Sequence, residues 1–468
     1  VDNTTADGPN GLPYINSEIT IEGNGFTIAR DAAAPAFRIL YLAHDGALIL
    51  KDTTVSGGLS DRGGAAYVRG MLSLDSSTIS GNDAYATDAS VYGGGIVVFS
   101  AGSLNLTDSA VSGNTAYGVP AARGGGIAFR GYGIVELVNS TVSGNEATGS
   151  QYAGGGGILQ STPGSTLILT DSTVSGNTVS GSKYMSAGGG IAAGTGATYL
   201  TGTTVSGNMV TAGGTSASAY GGGISANNTL TLTNSTVSGN SVTATHAGIG
   251  GGINTYTGTT TLYNSTVAGN SAYGPFRAWG GGIYNGPYST LTLADSLVGH
   301  STGGNCYGTI TDSGDNLADD TSCGTVPGTL TGLQATLADN GGPTLTHALS
   351  SGSSAIDNSG DCGLATDQRG APRFDASCDS GAFEFGGCPL LELESRIVTE
   401  AESWEECEIH AGPDLMVLGP GGDLSLTGGK GVVLFEGFVV EQDATATLGL
   451  DPSLQVKAAI EAAKPHQM

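Results

Sequence analysis

A glycosidase needs two carboxylates facing each other across a groove, and a lyase needs a cationic base beside calcium-holding carboxylates. The acids that recur in this sequence are Asp75, Asp108, Asp171 and Asp295, each just ahead of a Thr-Val or equivalent segment. Asn139, Asn234 and Asn264 take that place in other copies. Free exchange of Asp for Asn points to hydrogen bonding at a chain corner, not to proton transfer. Cations in the same region are scattered, among them Arg123, Lys183 and Arg277. No Asn-Thr-Asp or Gly-His-Gly signature of a polygalacturonase occurs. No catalytic residue is assigned on these grounds.

Metal chemistry has one weak foothold. Asp357-Asn358-Ser359-Gly360-Asp361 offers oxygen atoms at alternate positions, with Asp367 nearby. The stretch lacks the Gly at the sixth place and the closing Glu of a calcium loop. A solvated loop is the plainer reading, with Asp357, Asp361 and Asp367 kept as calcium candidates and no other cofactor expected. Aromatic residues also recur. Tyr85, Tyr117 and Tyr273 each lie three residues after an Asn, while Tyr92, Tyr220 and Trp279 precede glycine triplets. A sugar-binding stripe is one reading, and tyrosines packed on neighbouring turns the other.

Such residues need something to position them, and the chain supplies a repeat. Thr-Val-Ser-Gly-Asn or a close variant recurs around Val55, Ile79, Val111, Val142, Val174, Val205, Val237, Val267 and Val298. The steps are 24, 32, 31, 32, 31, 32, 30 and 31 residues. Gly-Gly-Gly-Ile marches with it, at Ile96, Ile127, Ile158, Ile191, Ile224, Ile253 and Ile283. Within a unit the pattern has period two, as in Leu230-Thr231-Leu232-Thr233, so the elements are strands with one buried face. One turn cannot bury its Leu and Val row, but stacked turns join the rows into a continuous core.

The expectation is therefore an all-β, right-handed parallel β-helix of nine or ten turns over 1–300, about 45 Å long at the strand spacing. Its register stacks Asn82, Asn114, Asn145, Asn177, Asn208, Asn240 and Asn270 into a side-chain ladder. The ladder is expected to end at Gly58 and His300, with the Asn residues themselves in the left-handed corner conformation. Triplets such as Gly93-Gly94-Gly95 and Gly188-Gly189-Gly190 read as tight corners. Phosphate cradles would need a following helix and usually a Lys. The sequon Asn139-Ser140-Thr141 falls in this motif and is expected to be buried and without glycan.

Composition narrows the partners. Fifteen Lys and Arg stand against 41 Asp and Glu, a net charge of −26. Such a surface repels nucleic acid and anionic lipid, and disfavours a polyanion such as pectin. No run of 18 apolar residues is present, so no membrane insertion is expected. The chain starts at Val1 without a basic and apolar leader, which is read as a signal peptide removed or not included. All six cysteines lie after residue 305 and suggest three local pairs: Cys306–Cys323, Cys362–Cys378 and Cys388–Cys407. Fifteen pairings are formally open. No spacing suits zinc, and an even, clustered set fits an oxidising, extracellular setting.

After residue 300 the periodicity fades. Residues 301–386 read as the disulfide-stapled end and cap of the solenoid, since exposed rung ends aggregate. Residues 387–468 read as a small β-domain, with strands at Val432–Phe435 and Gly437–Val440 and a short helix over 452–463 opened by Pro452.

Asn340-Gly341-Gly342-Pro343-Thr344, Thr346-His347-Ala348-Leu349, Ser354-Ala355-Ile356-Asp357, Thr366-Asp367-Gln368-Arg369-Gly370 and Gly381-Ala382-Phe383-Glu384 together resemble the bacterial choice-of-anchor Q proteins. Ile19-Thr20-Ile21-Glu22-Gly23-Asn24-Gly25 is similar to that family's early rung. The resemblance implies a secreted, surface-associated right-handed β-helix of the pectate-lyase-like superfamily, and carries no catalytic residues. The expected function is a non-enzymatic structural or adhesive rod at the bacterial surface or matrix. Its expected partner is itself, joined end to end through unpaired rung edges, with surface glycans as further partners. The alternative is a rod that binds or cleaves a polysaccharide along one face.

Overall fold

The computed structural model describes residues 3–5, 8–181, 183–360, 362–373 and 377–387, together with the strands lying between 390 and 450. Two compact units emerge, one of residues 1–362 and 375–385, the other of 363–374 and 386–468. The first is a parallel β-solenoid of about nine turns, and no helix occurs among the described residues.

One turn illustrates the rest. Ile224–Ala226 and Leu230–Thr233 belong to a long sheet of 19 strands, which takes two strands from most turns. Thr236–Ser238 lies in an 11-stranded sheet built from the Thr-Val-Ser segments. Ser241–Ala244 and Ala247–Ile249 then enter two further sheets, of eight and seven strands. Pairing is parallel and in register: Val205 sits over Val237, and Val237 over Val267. Stacking continues past residue 300 through Cys306–Tyr307, Ile310–Asp312 and Leu317–Ala318.

Apolar side chains separate into two cores, which gives the cross-section two lobes. Leu, Ile and Val of the long sheet and the Thr-Val-Ser sheet fill the body, with Leu104, Val111, Ile127 and Leu169 almost wholly buried. The other two sheets face each other over Ala84, Ala116, Ala122, Ala147, Ala219 and a few valines. Alanine brings the two backbones close, so this second lobe is a thin fin.

A waist divides the lobes, and the glycine triplet makes it. Gly93 has φ +62, the left-handed bend that starts the corner. A Cβ on Gly94 would lie 2.3 Å from the Gly125 carbonyl oxygen of the next turn. A Cβ on Gly95 would come within 3.1 Å of the Asn114 carboxamide. The same approach of third glycine to ladder Asn recurs at Gly126 with Asn145, Gly157 with Asn177, Gly190 with Asn208, Gly223 with Asn240 and Gly252 with Asn270. The triplets are corners as expected, and they also make room for the ladder.

Beyond the last rungs the chain turns back along the body. Thr344 donates to the Gly202 carbonyl (2.7 Å), and Thr204 donates to the Leu345 carbonyl (2.6 Å). Further along, the Ala382 N–H donates to the Thr266 hydroxyl (3.1 Å). This strap buries the outward residues Thr204, Thr236, Ser238 and Thr266, whereas Thr54, Ser56, Thr173 and Ser175 of earlier turns stay half-exposed. A satellite core of Leu297, Leu317, Leu330, Leu333, Leu349 and Phe383 lies beneath it.

Disulfides join Cys306 to Cys323 and Cys362 to Cys378. The proposed Cys388–Cys407 pair and the helix over 452–463 lie outside the described residues. In the second unit, Leu390–Leu393, Ala401–Ala411, Asp423–Leu434 and Thr445–Leu450 form another parallel sheet. Ala401 pairs with Asp423 and Asp423 with Thr445, a step of 22 residues each time.

Candidate functional site

The Asn column forms as its spacing suggests. Each side chain, from Asn82 to Asn240, donates from Nδ2 to the Oδ1 of the next at 2.9–3.0 Å. That Oδ1 also accepts the backbone N–H of the preceding Asn. A second Nδ2 bond reaches the Val or Ile carbonyl of the previous turn, as from Asn177 to Val142 (2.9 Å). All seven are fully buried.

Two details of the expectation are corrected. The left-handed residue of the Ser-Gly-Asn corner is the Gly, as at Gly113 and Gly176 (φ about +60), and not the Asn. With no Cβ, Gly takes that bend freely and leaves the carboxamide to point inward. At the far end Ser301, not His300, stands beyond Asn270, since Ser271 bridges Thr302. His300 holds the glycine place, with φ +56.

The Asp/Asn position is a second left-handed corner. Asp52, Ser76, Asp108, Asn139, Asp171, Asn234, Asn264 and Asp295 all have φ between +42 and +50. Asp75 is therefore one residue off this column. It is the last strand residue of its turn, paired with Thr107 and Lys51. Short polar side chains tolerate this conformation, which explains the free exchange of Asp and Asn. Asn139 is exposed and donates to Asp108, so its sequon lies on the surface and not in the buried ladder. Burial pushes the Asp171 carboxyl above the usual carboxylate range. Its neighbours in the column are Asn139 and Gly202, so no second carboxylate adjoins it.

Sequence reasoning missed a third column. Thr53, Ser77, Ser109, Ser140, Ser172, Thr203, Ser235, Ser265 and Ser296 are buried, and each hydroxyl after the first accepts the backbone N–H of the one before at 3.0–3.5 Å. The signal was present, because Ser or Thr precedes every Thr-Val-Ser segment.

Of the calcium candidates, Asp361 lies outside the described residues. Asp357 is an exposed corner residue (φ +53). Asp367 is buried against Arg369, with Nη2 to Oδ2 at 2.7 Å. Its other oxygen accepts the Arg369 and Ala371 N–H groups. No cluster of three metal-ligating side chains occurs among the described residues.

The strap hangs on a buried histidine. His347 Nδ1 donates to the Gln334 carbonyl (2.7 Å), which fixes Nε2 as the acceptor from the Ser238 hydroxyl (2.7 Å). Burial is the main cause that lowers its pKa from 6.5, aided by the nearby His300, itself paired with Asp319 (3.2 Å). A folded pKa below the unfolded one means the unfolded chain binds the extra proton between the two values. Stability should therefore be complete above about pH 6.5 and fall on acidification, by up to about 1.4 kcal/mol per pH unit. His347→Gln should flatten that slope in urea titrations from pH 7.5 to 5; an unchanged slope would place the titration elsewhere.

The aromatic residues fall into separate groups. Tyr85 and Tyr117 stack on the fin's outer sheet at 5.3 Å, but Thr148, Ser180, Thr211 and Thr243 continue that column before Tyr273. Tyr92, Tyr220 and Trp279 share the other fin sheet, in the column Tyr92, Arg123, Gly154, Ala187, Tyr220, Ile249, Trp279. That column faces Tyr67, Val97, Ala128, Leu159, Ala192, Ser225, Asn254 and Tyr284 of the long sheet. The latter point away from the body core, yet Val97 and Ala128 are at most 1% exposed, because the fin covers them. The glycine corner thus folds two sheets into a groove along the solenoid. At its far end Trp279, Tyr284 and Tyr307 lie parallel within 7°, with Arg277 4.4 Å from the Trp279 ring.

These features define a two-lobed parallel β-solenoid with internal Asn and Ser/Thr ladders and a groove at its waist. No protein family, no curated protein and no solved structure matches the chain.

Proposed function

We propose that this chain is a non-enzymatic structural or adhesive rod of the bacterial exterior, in the manner of the choice-of-anchor Q proteins that it resembles. The observation that carries the reading is the unbroken run of ladders. The repeated Asn, Ser and Thr are spent on holding one turn to the next, and the repeated Asp and Asn on forming corners. Two disulfides suit a non-reducing, extracellular setting. Growth end to end is part of the proposal. The first rung strand, Glu18–Glu22, pairs on one side only among the described residues, and Ile19 and Phe26 beside it are exposed.

Electron microscopy of the purified chain at neutral pH, with and without calcium, tests this. Regular filaments are expected, with the rung ends as joints. Dispersed short rods at all concentrations would remove the polymer and leave a monomeric rod.

A further inference from the structure

Charge is spread unevenly along this acidic solenoid. Between residues 1 and 362 there are only nine Lys and Arg, and four of them stand in three consecutive turns of the groove. Arg62, Tyr92 and Arg123 follow one another on the fin wall. On the facing wall Phe99 pairs with Arg130, and Arg69 follows Val68, the partner of Val98. The turns thus carry Arg62 with Arg69, then Tyr92 with Phe99, then Arg123 with Arg130, each pair seven residues apart. Two rings lie between two pairs of guanidinium groups.

Arg123 and Arg130 are half-buried, and neither guanidinium makes an ion pair or hydrogen bond among the described residues. Both lie over Tyr92, with Arg130 3.9 Å and Arg123 5.9 Å from the ring centroid, and Arg130 is also 5.9 Å from Phe99. Cation–π contact orients a guanidinium but leaves its N–H groups without acceptors. Two such cations side by side repel each other, in a chain that carries 41 carboxylate residues to pair with them. An arrangement that withholds those partners is complete only with an anion bound.

We propose that this part of the groove binds an anionic linear polysaccharide, through carboxylate or sulfate groups held by Arg123 and Arg130, with Arg62 and Arg69 flanking. The groove's course explains the preference for a polymer. The two arginine pairs stand two turns apart along it, about 10 Å at the strand spacing, so one chain with charges repeated along its length reaches both. A rod of net charge −26 repels every polyanion at long range, but a polysaccharide with one charge per sugar less than a nucleic acid duplex, which carries one about every 1.7 Å of its axis. The proposal gives the adhesive rod a ligand and rests on that reading only for the setting in which such polymers are met.

The test is binding of the full chain to immobilised polygalacturonate, dextran sulfate and neutral dextran at low salt, by biolayer interferometry. Wild type should bind one or both acidic polymers and not dextran, and binding should weaken as salt rises. Arg123→Gln with Arg130→Gln should lose roughly tenfold or more per guanidinium removed. The charge control, Lys51→Gln with Lys183→Gln, alters cations outside the groove and should bind as wild type. Should the double Gln variant melt early, Arg130→Lys serves instead: it keeps the charge, loses the fork, and should fall between Arg and Gln. Three outcomes would overturn the proposal: no binding to either acidic polymer, equal losses in groove and control variants, or equal affinity for duplex DNA. Micrographs of the same samples report separately on the rod, so failure here leaves that reading standing.

Discussion

Asn177→Leu should destabilise the solenoid by about 4 kcal/mol, although the two side chains are similar in size. Asn177 sits at the centre of the ladder and is fully buried. Its Oδ1 accepts both the backbone N–H and the Nδ2 of Asn145, at 3.0 and 2.9 Å. Its Nδ2 donates to Asn208 Oδ1 and to the Val142 carbonyl, both at 2.9 Å. Leucine leaves two donors of Asn145 without acceptors in a dry interior, at roughly 1–3 kcal/mol for each stranded group. Asn105→Ala is the comparison. Asn105 lies on the outer face of its strand, and its loss should stay within about 0.5 kcal/mol. Denaturant midpoints read both, with hydrogen exchange on neighbouring turns if the array unfolds in stages. If Asn177→Leu melted with wild type, the ladder would have no part in stability.

A comparable loss is expected from one added methyl group. In Gly125→Ala the new Cβ would lie 2.4 Å from the Gly156 oxygen and 2.5 Å from the Glu146 oxygen. Both are backbone atoms of the adjoining turn, so no side-chain rotation relieves the overlap. The turns must part, at an expected cost of about 3 kcal/mol or more. Gly213→Ala makes the same chemical change where nothing lies within 4 Å and φ is not positive. There the stiffer unfolded chain should leave stability unchanged or raised by up to about 1 kcal/mol. Equal melting of the two variants would refute the close approach of turns at the triplet.

How much of this was legible in the sequence depended on whether a feature repeats. Val205, Val237 and Val267 recur at nearly constant steps, so the solenoid, its register and the Asn column could be read directly. The waist could not. Gly95 meets Asn114 across the interior, 19 residues on, and no local pattern announces that contact. The strap escaped for the opposite reason, because Thr344 and His347 occur once and their partners Gly202 and Ser238 belong to a repeat that reads alike everywhere. Net charge is blind in a third way, since it says nothing of where the charges stand. A value of −26 argues against any polyanion, but it averages over a surface on which Arg123 and Arg130 share one turn of a groove. The resemblance to the choice-of-anchor Q proteins rested on one early-rung motif, Ile19 to Gly25, and on a series in the strap and beyond, where periodicity has ended.

The waist also governs how such a chain can change length. Each third glycine must arrive level with its Asn, so a residue gained between them has to be absorbed before the next meeting point. Two places allow it: the fin tip, as at Gly213–Ala217, and the bend between the body strands, as at Ser161–Ser165. Anything larger has to come as a complete circuit of the coil, bringing its own glycine triplet and its own Asn. Genes for such proteins should therefore grow and shrink by duplicating or deleting whole units, and natural variants should differ in reach by integral numbers of rungs.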